Sequence, residues 1–274
     1  MATTKKQATK VIVSKPAGSG GNYNLLILFA VPFLLYAQTL GFGFVYHDDD
    51  TIIITGSKVL ENFNLHQLFF TDAWLHDKVI ELYRPWQSFT YAIDYAIGGL
   101  NPWIYHLHNL LVFCFGIQLL YLVLLKLKIP TTHALWLSII YSTHFLLAHT
   151  VSWIPARGDL YLTLFSLSAL ICWMNYFNTR KPAWLAATVW LYFMALLAKE
   201  SAAVLPVLFV LLYFLYKKPG AGLKLPALVV AAIPLGAVLG LYLYMRSLSV
   251  VPQQSFMPVP ALMYNLPVLP EEVY

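Results

Sequence analysis

The sequence predicts an all-α, polytopic membrane protein with about seven transmembrane helices and a long extracytoplasmic first loop that carries interfacial helices. Three observations predict it. The 274 residues are 59% hydrophobic and only 11% charged, and their mean hydropathy of +0.67 lies outside the balance of soluble domains. The apolar residues gather into long uninterrupted runs. The charges are sided: every acidic residue falls in segments on one side of those runs.

The runs, in order, are Tyr23–Leu40, Trp103–Leu125, Ala134–Leu147, Leu160–Phe177, Ala183–Ala198, Ala202–Tyr216 and Leu225–Met245. Several are shorter than the roughly 20 residues that a perpendicular span needs, so flanking aromatic and polar residues are expected to take part. Ahead of them, residues 1–22 form a polar tail without a secretory cleavage signature, and the first run reads as a retained anchor. Residues 23–246 make up the transmembrane module, with its first extracytoplasmic loop at 41–102. Residues 247–274 read as an extracytoplasmic C-terminal segment.

Orientation follows from the basic residues. Lys58, Lys78, Arg84, Arg157, Lys199 and Arg246 lie on the far side, against eleven Lys and Arg on the N-terminal side, so the N-terminus is expected in the cytoplasm. All 12 acids sit on the far side or at its edge. The net charge of +5 thus reflects topology, and basic residues are not interleaved with aromatics as nucleic-acid binding would require. Cys114 and Cys172 both fall inside spans and suggest neither a disulfide nor a zinc site.

The loop 41–102 is several times longer than an ordinary connection, and loops of that length usually carry function. Val59, Leu60, Phe63, Leu65, Leu68, Phe69 and Phe70 mark one amphipathic segment; Trp86, Phe89, Tyr91, Ile93 and Tyr95 mark another. Both are expected in the membrane interface, with aromatics at headgroup depth. At the start of the loop stand Asp48, Asp49 and Asp50. Three adjacent carboxylates at a membrane surface repel one another and lose hydration, so the run needs a reason.

Other polar clusters return to the same side: Arg84, His106 with Asn109, Arg157 with Asp159, and Lys199 with Glu200. A carboxylate beside an apolar wall can serve as a general base, and Arg and Lys hold phosphate through charge-assisted bonds. That combination suits a lipid-phosphate donor and a hydroxyl acceptor. The same acids could instead bind a divalent cation, so the need for a metal stays open, and no dedicated metal site is assigned. Bland readings stand beside these. The three acids could form a solvated turn, Arg157 and Asp159 a local ion pair, Lys199 and Glu200 a structural pair at a helix end. His106 and Asn109, three residues apart on one helix face, could satisfy buried polar groups. A transporter is less favoured, because the charges lie at span ends and no internal repeat is found.

The strings Phe44-Val45-Tyr46-His47-Asp48-Asp49-Asp50, Tyr83-Arg84-Pro85, Asp94-Tyr95, Gly99-Leu100-Asn101-Pro102, Tyr105-His106-Leu107-His108-Asn109, Trp153-Ile154-Pro155-Ala156-Arg157-Gly158-Asp159 and Lys199-Glu200-Ser201 occur in this order. Over about Phe42–Pro206 they resemble the N-terminal region of the transmembrane O-mannosyltransferases that target cadherins and their bacterial relatives, within the GT-C superfamily of glycosyltransferases. The resemblance implies transfer of a sugar from a polyprenyl-phosphate carrier to an acceptor hydroxyl on the extracytoplasmic face. It places the protein in a bacterial inner membrane or the endoplasmic reticulum. One of Asp48, Asp49 and Asp50 would be the base, and Arg84, His106, Asn109, Arg157, Asp159, Lys199 and Glu200 would bind substrate or phosphate. The partners implied are membrane lipid, the lipid-linked sugar and a protein acceptor. The chain departs from its relatives in having Gly56-Ser57 where they commonly carry Asn-Pro. Relatives also continue with further spans, so a truncated chain and a chain completed by partner subunits are both expectations. An inactive GT-C-like subunit that scaffolds a larger complex is the alternative function.

Overall fold

The computed structural model describes residues 20–45, 48–75, 82–216 and 225–250, and over these the chain is helical, without a strand. The tail 1–19, Tyr46 and His47, Asp77, Lys78 and Glu81, the basic residues Lys217, Lys218 and Lys224, and the C-terminal acids lie outside the described residues, as do the side chains of Asp50 and of residues 20–22, 215–216 and 225–228.

Eleven α-helices are described. Helix α1 spans Gly20–Tyr36 and runs on as a 3-10 turn, Ala37–Gly41. The long loop folds into a π-helical turn at Asp50–Thr55, then α2 (Ser57–Asn62), α3 (Leu65–Phe70) and α4 (Pro85–Gly98). There follow α5 (Pro102–Lys126), α6 (Thr131–Ser142), α7 (Leu146–Ser152), α8 (Arg157–Thr179), α9 (Pro182–Ala198), α10 (Leu205–Tyr216) and α11 (Leu225–Ser249).

Four of these segments are long and apolar enough to cross a bilayer: Tyr23–Gly41, Pro102–Lys126, Ile154–Thr179 and Val229–Ser249. With their lipid-length apolar surfaces they mark an integral membrane protein. The run expected at Ala134–Leu147 is instead broken, α6 and α7 meeting at 68°. The reason is local. Ser142 and Thr143 hydroxyls bond back to the Ile139 carbonyl, and the His144 ring accepts the Leu146 N–H at 3.3 Å, so a side chain satisfies the N–H that opens α7. Counted as one bent span, the pair raises the number to five. Helix α9, at 17 residues, is about 25 Å long, and α10 is shorter, so neither reaches the roughly 30 Å of a hydrocarbon core.

Turn chemistry sets the directions. Gly99, at φ +58°, ends α4 in a conformation that a side chain would strain, and Asn101 caps α5 by accepting the Trp103 N–H, with Pro102 at the first helical position. Arg180, also left-handed, closes α8, its N–H bonded to the Tyr176 carbonyl, and Pro182 opens α9 at once. The result is a tight α8–α9 hairpin. Helix α5 lies parallel to α8: Asn109 meets Arg157 near their N-termini, and Lys126 Nζ donates to Asn175 Oδ1 at 2.6 Å near their C-termini.

Helix α4 is more enclosed than its amphipathic pattern suggests: it packs against α5, α8 and α9, with Gln87, Ser88, Thr90, Tyr91 and Asp94 all buried. Trp86 packs edge-on against Tyr161 and Phe165, and Tyr83 is enclosed, its hydroxyl donating to the Phe69 carbonyl. Cys114 and Cys172 are buried free thiols.

Candidate active site

The polar strings of the sequence meet at the N-terminal ends of α5 and α8. They separate there into two layers, one sealed and one open.

The sealed layer is built around Arg157, which is 0% exposed. The chain enters α8 through a 3-10 turn, Ile154–Ala156, whose Pro155 fits the start of a helix, and this turns the first α8 side chain inward. Arg157 Nε donates to Asn109 Oδ1 at 2.8 Å, Nη2 to the Tyr105 carbonyl at 2.9 Å, and Nη1 to the Asp94 carboxylate. Its guanidinium also lies 4.6 Å from the centre of the Tyr91 ring. Asn109 in turn donates to the Trp153 and Ile154 carbonyls, both at 3.3 Å. Asp94 bonds His108 Nδ1 at 2.6 Å, and His108 Nε2 bonds the Tyr161 hydroxyl at 2.6 Å. Gln87 Nε2 donates to Tyr91 Oη and the Pro155 carbonyl. Burial pushes the Tyr91 phenol well above its ordinary range, so it remains a donor, to the Ile154 carbonyl.

Arg157 and Asn109, expected at substrate, therefore have their polar groups committed to protein partners. Here the bland reading of Asn109 describes the geometry. Sequence reasoning had no separate role for Asp94, His108 and Tyr161, or for Gln87 and Thr90. A signal existed: Gln87, Thr90 or Tyr91, and Asp94 form a polar stripe at helical spacing within an aromatic helix, and Tyr161 follows Arg157 by one turn.

The open layer gathers around Gly158. A Cβ on this residue would stand 3.1 Å from both the Ala198 carbonyl and Gln87 Oε1, tighter than ordinary contact, so glycine suits the close approach of α8 to the end of α9 and the start of α4. Through that approach Arg84 reaches Glu200 in a two-pronged pair, Nε to Oε2 at 3.2 Å and Nη2 to Oε1 at 2.9 Å, while Lys199 Nζ reaches Asp159 Oδ1 at 2.6 Å. The side chains keep solvent access, 17% and 38% exposed in the first pair, 24% and 44% in the second. Burial pushes the Glu200 carboxyl up, but the Arg84 bond and the Lys199 charge outweigh it, and it titrates below its ordinary value. Arg157 and Asp159 do not pair with each other; their partners are Asp94 and Lys199.

Asp159 also lines a cavity of about 390 Å3 between α5, α6, α7 and α8. The rest of its wall is mainly apolar, including Val112, Gly116, Leu120, Leu160 and Leu167, with Thr150 and Thr163 adding hydroxyls.

The acidic run sits beside these layers. Asp49 is fully buried, and its Oδ2 accepts the Val45 N–H at 2.8 Å, closing the loop on itself. Asp48 is partly exposed. His106 pins the approach to the run: Nε2 lies 3.5 Å from the Gly43 carbonyl, and the ring packs edge-on against Phe42. Among the described residues no three His, Cys, Asp or Glu side chains gather as a metal-ligand set.

Comparison with known proteins gives the geometry a context. The chain is 32% identical over 160 residues to the protein O-mannosyl-transferase tmtc2 of Xenopus laevis, covering 57% of this chain and 19% of that protein. It is 29% identical over the same length to the human protein O-mannosyl-transferase TMTC2. Over 180 residues, 63% of this chain, it is 29% identical to the Drosophila melanogaster protein O-mannosyl-transferase Tmtc1, of which it covers 20%. The chain thus spans about a fifth of the length of the curated relatives it matches. No family model matches it. No solved structure matches it either. In sequence, the chain is similar to the protein O-mannosyl-transferases over more than half of its length.

Proposed function

We propose that this chain forms the donor-binding and base-bearing part of a protein O-mannosyltransferase that uses a polyprenyl-phosphate mannose. The observation that carries the reading is the open layer around Gly158: two cations, Arg84 and Lys199, held by exchangeable carboxylates beside an apolar cavity whose wall includes Asp159. A phosphate takes the place of Glu200 and Asp159 on the two cations through charge-assisted bonds, and the isoprenoid tail enters the cavity.

In the transfer, a carboxylate removes the proton of the acceptor hydroxyl as its oxygen attacks the anomeric carbon. The bond from that carbon to the phosphate oxygen breaks, the phosphate leaves with the electron pair, and the anomeric centre inverts. Of the two acids whose side chains are described, Asp48 is the base, because Asp49 is buried and bonded to its own loop. The proposal extends to topology. The N-terminus is cytoplasmic, the loop 41–102 and the site are extracytoplasmic, α9 and α10, each too short to span a full hydrocarbon core alone, complete a seven-span bundle with their flanking residues, and the membrane is of the endoplasmic-reticulum type, as the animal relatives favour.

The test is transfer from radiolabelled polyprenyl-phosphate mannose to a Ser/Thr acceptor peptide by the purified chain in nanodiscs. Asp48→Asn is expected to lower the rate by about 10²–10⁴-fold, the usual cost of a lost general base, with unchanged thermal unfolding. Full activity in Asp48→Asn would remove the base assignment, and absence of donor binding by the wild-type chain would remove the whole reading.

A further inference from the structure

The chain Asp94–His108–Tyr161 joins three helices, yet none of its groups belongs to the open layer. Its direction can be assigned from the partners. A carboxylate only accepts, so His108 Nδ1 carries the hydrogen in the 2.6 Å contact with Asp94. In a neutral ring Nε2 is then an acceptor, and the Tyr161 hydroxyl must donate to it across the other 2.6 Å contact. Asp94 meanwhile bonds Arg157 with its second oxygen. Every polar atom of the imidazole is committed, although the side chain remains 20% exposed.

Its position gives the chain leverage. His108 stands one turn before Val112, and Tyr161 directly follows Leu160; both Val112 and Leu160 line the cavity. Asp159, two residues before Tyr161, is the partner of Lys199. Asp94 lies on α4, the helix that Arg84 opens.

We propose that His108 is a positioning residue for the transfer site: as the neutral Nδ1–H tautomer it ties Asp94 to the Tyr161 hydroxyl and so holds the first turns of α8, with Asp159, in register with α4 and Arg84. The role rests on the transferase reading, whereas the tautomer does not. Proton uptake at Nε2 reverses the bond to Tyr161, which must then accept, and leaves the phenolic hydrogen to find another acceptor. It also adds a second cation to a pocket that already holds Arg157. The titratable and charged groups that interact with the ring are Asp94 on α4 and Arg157 and Tyr161 on α8, so the new positive charge has Asp94 as its one described carboxylate partner. Transfer is therefore expected to fall as His108 takes up one proton.

The test uses the whole chain in nanodiscs with [15N]histidine, His108→Gln identifying the resonance. At neutral pH the expected spectrum shows a protonated Nδ1 and an unprotonated Nε2; an Nε2–H tautomer overturns the proposal whatever the transfer assay reads. In the same preparation, His108→Gln and Tyr161→Phe are expected to lower kcat by about 10- to 100-fold, the scale of a small misplacement, and to raise KM for polyprenyl-phosphate mannose as Asp159 and Arg84 lose register. The acid limb of the wild-type pH profile is expected to lose one proton in His108→Gln. A variant that is less stable but keeps the wild-type kcat and acid limb makes His108 merely structural and overturns the proposal. A wild-type chain that transfers nothing fails the transferase reading instead, a result distinguishable from active wild type with an indifferent variant.

Discussion

Arg157 and Asp159 are two residues apart on one helix and live in different physical worlds. Arg157 is fully enclosed, with Asp94, Asn109 and the Tyr105 carbonyl around it; Asp159 is nearly half exposed and pairs with Lys199. Two residues along an α-helix are about 200° apart around its axis, so a compact charged string cannot present both side chains to one ligand. The same residue types consequently do different work. In the sealed layer, pairing answers the cost of burying charge and fixes how α4, α5 and α8 meet. In the open layer, pairing is weak enough to exchange for a ligand.

The sharpest way to break this contrast is Arg157→Met. It leaves Asp94 buried opposite an apolar side chain, and removing one partner of a buried pair costs about 3–5 kcal/mol. Thermal or denaturant unfolding in detergent should show that loss, or the variant should fail to accumulate. The double variant Arg157→Met with Asp94→Leu should recover much of the stability, because an apolar pair of similar volume is often neutral. No recovery would mean that the hydrogen bonds of Asn109, His108 and the Tyr105 carbonyl, rather than charge compensation, carry the layer.

Gly158→Ala tests the seam between the layers. Its new Cβ would meet two oxygens at 3.1 Å, one of them backbone, so α8 must move away from α9. Such overpacking costs about 1–3 kcal/mol. Separation of Arg84 and Lys199 from their relative positions should also weaken donor binding, readable as a raised KM. A stable variant with an unaltered KM would show that the two ion pairs need not be held together.

In the open layer the expected stability effects shrink while functional effects grow. Arg84→Ala and Lys199→Ala remove partly exposed pairs, whose contribution is about 0–1 kcal/mol, yet each should raise KM for the phosphate donor. If unfolding temperature falls as far as in Arg157→Met, the distinction between the layers is wrong.

The long runs of the sequence were enough to locate α1, α5, α8 and α11 to within a few residues, because burial in lipid demands a local, contiguous signal. The break at Thr143–Phe145 was not legible although Ser142-Thr143-His144 interrupts the apolar run there, because three polar residues within an otherwise apolar segment do not by themselves end a helix; the hydroxyl and imidazole bonds to the backbone accompany the break. For the site, the shared side of Arg84, Asp159, Lys199 and Glu200 could be read from topology. Their pairing could not: Arg84 and Glu200 are 116 positions apart. Nor could the inward turn of Arg157, which depends on Pro155 and on acceptors presented by α4 and α5. The burial of α4 was not legible either: its aromatics mark an amphipathic helix, but that Gln87, Thr90 and Asp94 are enclosed depends on partners from α5 and α8 far away in sequence.

The smallest effect concerns Glu200, and it sharpens the contrast through pH. Its carboxyl titrates lower in the folded protein than in the unfolded chain, because the bonds from Arg84 outweigh burial. The folded state therefore binds this proton less readily, and the resulting stabilisation is fully present above the ordinary carboxylate pKa of about 4.3. It declines as pH falls through that value and is gone below the depressed folded one. Glu200→Gln should consequently flatten the acid side of the stability profile slightly, leaving stability near pH 7 almost unchanged because both groups remain partly solvated. Arg157→Met, by contrast, should lower stability at pH 7 itself, because it leaves Asp94 buried without its cationic partner. A Glu200→Gln profile parallel to wild type down to pH 3 would show that Arg84 does not hold this carboxylate in solution, and would free Arg84 to meet a phosphate without an exchange.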